Sequence, residues 1–245
     1  MITGPLFKWF GSKWLSSKQL PEPQFNTIIE PFAGGAGYSL RHYQKNVILY
    51  ERDPHIRQLW AWLIYIATEK DIREIPINIK EGTDIRLLDL KEGQKLLLKS
   101  WQRTNNVGDC WTISPWGNKP GQWTENTRNR VAEQIALIKH WEIIGGNGLQ
   151  AFKDNEATED SAGATWFIDP PYIYNYKYRS PESLDYKALA RLIEDTPGQK
   201  IVCEAICQET GAMPNWLPFE FWASRITSRR KTGDNHHSKE LLWLG

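Results

Sequence analysis

The 245-residue sequence lacks the features that mark several large classes of protein. Its three cysteines, Cys110, Cys203 and Cys207, fit neither a disulfide framework nor the spacing of a zinc site, which favours a reducing compartment. The longest apolar run, residues 59–67, is too short to span a bilayer. Because the first residues contain no apolar stretch typical of a signal peptide, we expect a cytoplasmic protein without a membrane partner.

An excess of one charge is also missing. The chain has 30 Lys and Arg residues against 29 Asp and Glu residues, which gives a formal net charge of +1. A nucleic-acid-binding protein with this balance has to concentrate its positive side chains locally. Tryptophan, by contrast, is abundant at 13 residues, and surplus tryptophan provides flat faces on which unpaired bases can stack.

Strands and helices alternate in both halves of the chain, which predicts an α/β fold with a mostly parallel sheet and helices on both faces. The predicted strands are residues 27–30, 46–50, 141–144, 164–168, 200–204, 220–227 and 239–244, of which the last two look antiparallel. The predicted helices are residues 38–44, 54–68, 127–140 and 184–194. Asp53 and Pro54 form a typical start for the second helix, as N-cap and first-turn residue.

The alternation breaks between residues 71 and 126, where prolines, glycines and tryptophans are scattered and only residues 86–101 look helical. We therefore predict one domain made of residues 1–70 and 127–245. Residues 71–126 would be an insertion into it with a small structure of its own.

A glycine-rich loop follows the first predicted strand. Gly34, Gly35 and Gly37 would let the backbone approach a ligand at the start of a helix. Glu51 ends the next strand, where a carboxylate can accept hydrogen bonds from ribose hydroxyls. A dinucleotide is one candidate ligand, although Leu40 stands where that pattern needs its third glycine. S-adenosylmethionine, which has a ribose but no pyrophosphate, is another, and a tight turn without a ligand is the plainest explanation.

Asp169, Pro170, Pro171 and Tyr172 come directly after the apolar run of residues 164–168. The two prolines cannot donate to a ladder, so they end the strand. An acidic side chain and an aromatic ring would thus be held at the carboxyl edge of the sheet, where ligands of open α/β sheets bind. This arrangement suits a flat heterocycle with an amino group, whose ring stacks on Tyr172 while its amine donates to Asp169. A strand end followed by a proline turn is the simpler alternative.

Three segments in a fixed order carry a resemblance to a known family. They are Lys8-Trp9-Phe10-Gly11-Ser12-Lys13, then Glu30-Pro31-Phe32-Ala33-Gly34-Gly35-Ala36-Gly37, then Ile168-Asp169-Pro170-Pro171-Tyr172. With these segments the chain resembles the DNA adenine methylase family of S-adenosylmethionine-dependent enzymes over nearly its whole length, residues 71–126 excepted. A similarity to the short members often carried by phages and prophages rests on Val202-Cys203-Glu204 and, downstream, on Asn215-Trp216-Leu217-Pro218-Phe219. The resemblance implies a Rossmann-like methyltransferase fold in which residues 71–126 are a small target-recognition region.

The resemblance also implies a role for each matching position. The residues implied to be catalytic are Asp169, Pro170, Pro171 and Tyr172. Those implied to bind the cofactor are Trp9, Lys13, Pro31, Phe32, Ala33, Gly34, Gly35, Gly37, Glu51, Arg52 and Asp169. Members often carry an acidic residue after the strand that precedes the catalytic one, to hold the cofactor adenine. In this chain that turn reads Gly-Gly-Asn-Gly at residues 145–148, which leaves Asn147 or the backbone for the task.

The implied activity is methyl transfer from S-adenosylmethionine to the exocyclic amine of a flipped adenine, which gives 6-methyladenine in DNA. The Asp169 carboxylate and the Pro170 carbonyl would each accept one amine hydrogen. The expected partner is double-stranded DNA, with phosphates contacted by Arg103, Lys119, Arg229, Arg230 and Lys231. Simple solvation is the alternative for each of these side chains. No metal is predicted, because no ligand cluster accompanies His236 and His237.

Four other functions stay open at this point. RNA adenine methylation and DNA cytosine-amino methylation would use the same chemistry, since cytosine also presents an aromatic amine. Asp169 favours adenine, because cytosine-specific enzymes more often have serine there. A nicotinamide-dependent oxidoreductase conflicts with the missing third glycine, and an inactive nucleic-acid-binding module conflicts with the intact motifs.

Overall fold

In a computed structural model of the chain, the described residues are 1–102, 111–155, 163–172, 184–205, 216, 226–228 and 238–244. They belong to two compact units. Unit 1 comprises Met1–Trp14, Gly34–Gln44 and Asp53–Ile143, and unit 2 comprises Leu15–Ala33, Lys45–Arg52 and Ile144–Gly245. Among the described residues, no helix combines the length and the apolar character needed to cross a membrane.

Seven strands in the described part of the chain form one sheet in the order β3-β2-β1-β4-β5-β7-β6. They are β1 (Thr27–Glu30), β2 (Asn46–Glu51), β3 (Glu142–Gly145), β4 (Ala164–Ile168), β5 (Gln199–Ala205), β6 (Ile226–Ser228) and β7 (Ser238–Leu244). β1 pairs in parallel with β2 and β4, and β4 with β5, whereas β7 runs antiparallel to β5 and β6. The predicted α/β fold with a mostly parallel sheet is confirmed.

The strand order reverses between β1 and β4, because the chain moves outward from β1 to β2 and β3 before it returns to β4. Such a reversal leaves a crevice at the carboxyl ends of the two central strands of a doubly wound sheet. All five residues of β4 are buried, as expected for a strand with both of its faces covered. The central place of β4 in the sheet therefore explains the apolar run from which this strand was predicted.

The core of unit 2 lies between the sheet and two helices, α5 (Gly148–Asp154) and α6 (Tyr186–Asp195). Trp166 and Ile168, two positions apart on β4, contribute to the same side of this core, as the period of a strand requires. The indole of Trp166 stacks on the ring of Phe152 from α5, with centroids 4.8 Å apart and planes inclined by 7°. An aromatic pair of this kind adds about 0.5–1.5 kcal/mol to the free energy of burial.

Unit 1 is mainly helical. Its helices are α1 (Pro54–Ala61), α2 (Glu69–Arg73), α3 (Glu92–Trp101) and α4 (Glu125–Gln134). The predicted start of α1 is confirmed, since Asp53 Oδ1 accepts hydrogen bonds from the backbone N–H groups of His55 at 2.9 Å and Ile56 at 3.3 Å. A π-helical turn, Trp62–Ile66, extends α1 over most of the range that the sequence predicted.

Asp71 is the centre of a polar network in unit 1. Its carboxylate accepts hydrogen bonds from Lys91 Nζ at 2.5 Å and from the hydroxyl and backbone N–H of Thr68 at 2.5 and 2.9 Å. Gln94 Nε2 donates to the Asp71 backbone carbonyl at 2.7 Å. The hydrogen bonds from Lys91 and Thr68 lower the pKa of Asp71 from 3.8 to about 2. The ionised carboxylate therefore stabilises the start of α2 and its attachment to α3.

Three predicted helices differ from the structure. The helix predicted at residues 127–140 is α4 followed by a 3₁₀ turn, Ile135–Ile138. The helix predicted at residues 38–44 is only a single 3₁₀ turn, Ser39–His42. The helix predicted at residues 86–101 is a 3₁₀ turn, Ile85–Leu87, followed by α3. The second helix begins afresh because the backbone at Lys91 is extended and its N–H donates to Gln94 Oε1 at 2.8 Å, which caps α3. Residues 71–126 lie within unit 1 together with their flanking segments, and their separate recognition role stays a prediction.

Candidate active site

Residues predicted to act in binding and catalysis follow three neighbouring parallel strands of unit 2. Pro31 comes after β1, Arg52 after β2 and Asp169 after β4. Because parallel strands end at the same edge of a sheet, these positions share the carboxyl edge that contains the reversal between β1 and β4. The structure thus brings the two central predicted segments, residues 31–33 and residues 169–172, to adjacent strand ends.

The segment after β1 is held in place by its neighbours in unit 2. The Ala33 N–H donates to the Tyr50 carbonyl at 2.9 Å, which continues the contact between β1 and β2. The ring of Phe32 lies against Gly148 at the start of α5, and a Cβ at Gly148 would fall 2.3 Å from that ring. The glycine at residue 148 is therefore explained by the Phe32 ring, so this part of the site depends on close packing.

Asn147, which the sequence offered for the cofactor adenine, has another task in the structure. Its Oδ1 accepts a hydrogen bond from the Gln150 N–H at 3.1 Å and caps α5. The neighbouring Gly146 N–H donates to the Glu51 carbonyl at 3.3 Å. Glu51 itself is half-buried at the end of β2, and Arg52 beside it is exposed. Of these residues, Glu51 has the side chain best suited to accept hydrogen bonds from a ribose.

We call residues 169–172 the proline segment. Asp169 and Pro171 are half-buried and Pro170 is buried. Tyr172 is 6% exposed, so its ring is covered. A base that stacks on this ring, as the sequence predicts, would first require the ring to become exposed.

Tyr186 and Glu204 contribute to the surroundings of the proline segment, and the sequence predicted a role for neither of them. The Tyr186 hydroxyl donates a hydrogen bond to the Pro171 carbonyl. Glu204 is 2% exposed on β5, the strand next to β4, and its Oε2 accepts from Trp216 Nε1 at 2.8 Å. A tyrosine at the start of the predicted helix and an acidic residue inside the predicted strand were the available signals, but neither shows its partner.

The second group of predicted residues lies in unit 1, where the N-terminal segment packs on residues 34–37, here called the glycine loop. Gly34 has a φ of +46°, and a Cβ there would fall 2.5 Å from Trp9 Nε1. A Cβ at Gly37 would fall 2.3 Å from the backbone nitrogen of Trp14. The glycines are therefore needed for the approach of the protein's own chain. The 3₁₀ turn after the loop provides only a short helix N-terminus.

Polar groups accompany the same contact in unit 1. Ser12 Oγ is buried, lacks a hydrogen-bond partner among the described residues, and would lie 3.2 Å from a Cβ at Gly35. Lys13 is 3% exposed, and its Nζ donates to the Gly11 carbonyl at 3.1 Å. A buried hydroxyl without a partner beside glycines is a place where a polar ligand group would be favourable. Sequence reasoning had not singled out Ser12.

Of the five basic residues predicted to contact DNA, Lys119 is the one that the structure describes, and it is exposed in unit 1. Arg103, Arg229, Arg230 and Lys231 lie outside the described residues. Trp116 is 59% exposed in the turn that carries Lys119, whose N–H donates to the Trp116 carbonyl at 2.9 Å. Among the tryptophan side chains that the structure describes, only that of Trp116 is exposed.

No group of three or more His, Cys, Asp or Glu side chains in the described ranges is placed to hold a metal ion.

No protein-family model and no curated protein matches the chain. Two solved structures of the rRNA methyltransferase aviRa from Streptomyces viridochromogenes are similar to it, with TM-scores of 0.43 and 0.39 and sequence identities of 14% and 13%. Each comparison covers 99% of this chain and 88% of that chain. Likenesses this distant carry no argument about activity or substrate.

Proposed function

We propose that the protein is an S-adenosylmethionine-dependent DNA methyltransferase that modifies the exocyclic amine of adenine. The observation that carries this proposal is the proline segment at the carboxyl end of β4, beside the reversal between β1 and β4. This is the position at which open α/β sheets bind ligands. A half-buried carboxylate followed by a rigid backbone carbonyl offers two hydrogen-bond acceptors, which suits an amine that has to be oriented.

The residues present fit the proposed cofactor. Glu51 at the end of β2 would accept hydrogen bonds from the ribose hydroxyls, and Phe32 would border the methionine portion. The cofactor roles that the resemblance implies for Trp9, Lys13 and the glycine loop of unit 1 stay predictions, because Trp9 and the backbone of Trp14 lie where Cβ atoms of these glycines would be. When bound, S-adenosylmethionine supplies an electrophilic methyl group.

Asp169 and Pro170 would act on the substrate amine. The lone pair of an exocyclic amine is delocalised into the ring, so the nitrogen is a poor nucleophile. Hydrogen bonds from its two hydrogens to the Asp169 carboxylate and the Pro170 carbonyl would localise that lone pair and stabilise the positive charge that develops on the nitrogen. The fixed φ of the two prolines keeps these acceptors in place before the substrate arrives.

Nucleic acid would reach this site by base flipping, because an amine inside a duplex is not accessible. The Tyr172 ring would become exposed when the base enters, and stacking worth about 1–3 kcal/mol would offset part of the unstacking cost. Lys119 would contact phosphate, together with Arg103, Arg229, Arg230 and Lys231. The exposed Trp116 beside Lys119 supports a nucleic-acid contact at this turn, since an aromatic face can stack on a base.

The test is expression in a host without DNA methylation, followed by mass spectrometry of nucleosides from its DNA and RNA. We expect 6-methyladenine in DNA, and we expect Asp169→Ala to lower its rate of formation by about 100-fold or more. Asp195→Ala, which removes an exposed carboxylate at the end of α6, is the matched control and should keep full activity.

Each alternative has its own signature in that measurement. Methylated adenine only in RNA would reassign the substrate to RNA, and a 4-methylcytosine signal would reassign the base. Wild-type protein that modifies neither nucleic acid and binds no S-adenosylmethionine by calorimetry would contradict the proposal. Near wild-type activity of the Asp169→Ala protein would contradict the role given to this carboxylate.

A further inference from the structure

We propose that Tyr186 is a positioning residue, which holds the proline segment in the conformation that methyl transfer needs. This inference rests on the proposed function, because it assigns a role relative to the amine acceptors Asp169 and Pro170. The hydroxyl of Tyr186 is the atom that performs the role, through its hydrogen bond to the Pro171 carbonyl.

The position of Tyr186 is determined by the start of α6. Asp185 caps this helix, and its Oδ1 accepts hydrogen bonds from the backbone N–H groups of Lys187 and Ala188, each at 3.0 Å. Tyr186 is the first residue of the helix, so the cap also fixes where its side chain leaves the backbone. From there the hydroxyl reaches the Pro171 carbonyl across 15 positions of the sequence.

A second set of contacts supports the ring of Tyr186. It packs against the indole of Trp216, with centroids 5.4 Å apart and planes inclined by 53°. Trp216 Nε1 in turn donates to the buried Glu204 on β5 at 2.8 Å. A continuous series of contacts therefore joins β5 to the Pro171 carbonyl, through Glu204, Trp216 and Tyr186.

The hydrogen bond from Tyr186 restrains the backbone torsion angles that the proline rings do not fix. The pyrrolidine rings fix φ at residues 170 and 171, so their ψ angles are the main remaining freedom of this backbone. A donor on the Pro171 carbonyl fixes the peptide plane between Pro171 and Tyr172. It thereby limits the direction in which the backbone continues into Tyr172. It also limits the movement of the Pro170 carbonyl.

Tyr186 can keep this role over a wide pH range. Burial raises the pKa of its hydroxyl to about 12, and the nearby Glu204 acts in the same direction. The hydroxyl therefore keeps its proton, and remains a donor, at every pH at which a methyltransferase is assayed. A hydroxyl in this environment is suited to a constant structural contact and would be a poor proton acceptor.

The test is Tyr186→Phe, which removes the donor and keeps the ring that packs on Trp216. We expect kcat to fall about tenfold, the factor for one hydrogen bond of ordinary net strength, while the KM and the calorimetric Kd for S-adenosylmethionine stay within twofold. The matched control is Tyr65→Phe, which changes an exposed tyrosine of unit 1 whose hydroxyl accepts from the Ile143 N–H at 3.1 Å. It should leave kcat unchanged.

Hydrogen exchange supplies a readout that does not need activity. The prolines have no amide hydrogen, so the Tyr172 amide is the first reporter after them. Its exchange should accelerate about tenfold in the Tyr186→Phe protein, while amides of β4 keep their protection. Equal exchange of the Tyr172 amide in both proteins would overturn the inference.

The kinetic outcomes separate this inference from the proposed function. An active wild type together with an unchanged kcat for Tyr186→Phe overturns the positioning role alone. A Tyr186→Phe protein that loses cofactor affinity and β4 protection in parallel overturns it too, because the residue then supports the fold generally. A wild type that methylates no nucleic acid overturns the proposed function, and the positioning role with it.

Discussion

The glycine loop and the proline segment reach a defined shape in opposite ways. The glycine loop consists of residues with the freest backbone, and it is held by side chains and backbone of residues 9–14 that lie where Cβ atoms would be. The proline segment consists largely of residues whose φ is already fixed, and it needs one hydrogen bond from Tyr186 to restrain the remainder. The shape of the glycine loop depends on the absence of side chains from its glycines, whereas the shape of the proline segment depends on the stiffness of its own backbone.

This difference changes how glycines near a strand end are interpreted. The sequence suggested that Gly34, Gly35 and Gly37 make room for a ligand, yet each of them is already approached closely by Trp9, Ser12 or the backbone of Trp14. Prolines allow a more direct conclusion, because their effect is local and needs no partner. Substitutions should therefore damage folding in the glycine loop and activity in the proline segment.

Gly37→Ala tests the glycine side of this comparison and should have the largest effect on stability. The new Cβ would fall 2.3 Å from the Trp14 nitrogen, a backbone atom that cannot rotate away. We expect a loss of about 3 kcal/mol in the free energy of unfolding, measured by urea denaturation. Gly146→Ala is the control, because its Cβ would meet nothing closer than Gln150 Cβ at 3.5 Å. If both variants lost equal stability, the glycine loop would not be held by packing.

The pH dependence of stability should also distinguish the two units. The folded pKa of Asp71 in unit 1 is lowered to about 2, so its ionised form contributes stability above pH 4 that is lost as the pH falls toward 2. We expect about 2 kcal/mol from this group, which Asp71→Asn should remove together with the slope. Tyr186 in unit 2 has a raised pKa of about 12, so its contribution is present below pH 10 and is lost as the pH rises toward 12.

The measurement for both limbs is urea denaturation from pH 2 to pH 12. Asp71→Asn should flatten the acid limb without changing the alkaline limb, and Tyr186→Phe should do the reverse. An acid limb that keeps its slope in the Asp71→Asn protein would show that other carboxylates dominate.

The smallest expected effect concerns Lys119. Its replacement by alanine should weaken DNA binding about two- to threefold and reduce the slope of log affinity against log salt by about 0.9, as expected for one lost phosphate contact. Fluorescence anisotropy at several salt concentrations measures both quantities. Lys153→Ala, at an exposed position of α5, is the control and should change neither. An unchanged salt slope for Lys119→Ala would remove this residue from the proposed DNA contact.

Local patterns were enough to predict much of the fold. The bounds of β1 are the predicted residues 27–30, and the Asp53 cap and the buried β4 are also as expected. In each case the signal lies within a few residues of the element. The predicted helix at residues 38–44 was wrong in extent, since the structure has one 3₁₀ turn, Ser39–His42, whose Arg41 side chain donates to the Trp14 carbonyl at 2.6 Å. This contact joins residues 27 positions apart, so no local pattern shows it.

The residues of the candidate site also divide into those with a local signal in the sequence and those whose contacts come from distant residues. Asp169 and its two prolines could be singled out from the sequence, because an acidic residue and prolines directly behind a buried strand are a local signal. Tyr186 could not, since its hydroxyl meets Pro171 only after Asp185 has set the start of α6. The sequence offered Asn147 as a contact for the cofactor, but in the structure its side chain caps α5. The sequence alone does not show which of these two roles an asparagine has.

The sequence by itself determined the alternation of strands and helices, the stiffness of the proline segment and its place behind a buried strand. These properties follow from hydrophobic periodicity and from the covalent geometry of proline, both of which act over a few residues. The tertiary structure decided that β4 lies beside β1 at the reversal of the sheet, that glycines accommodate Trp9 and Trp14, and that Tyr186 restrains Pro171. These are contacts between residues distant in sequence, and their energy exists only once the chain has folded.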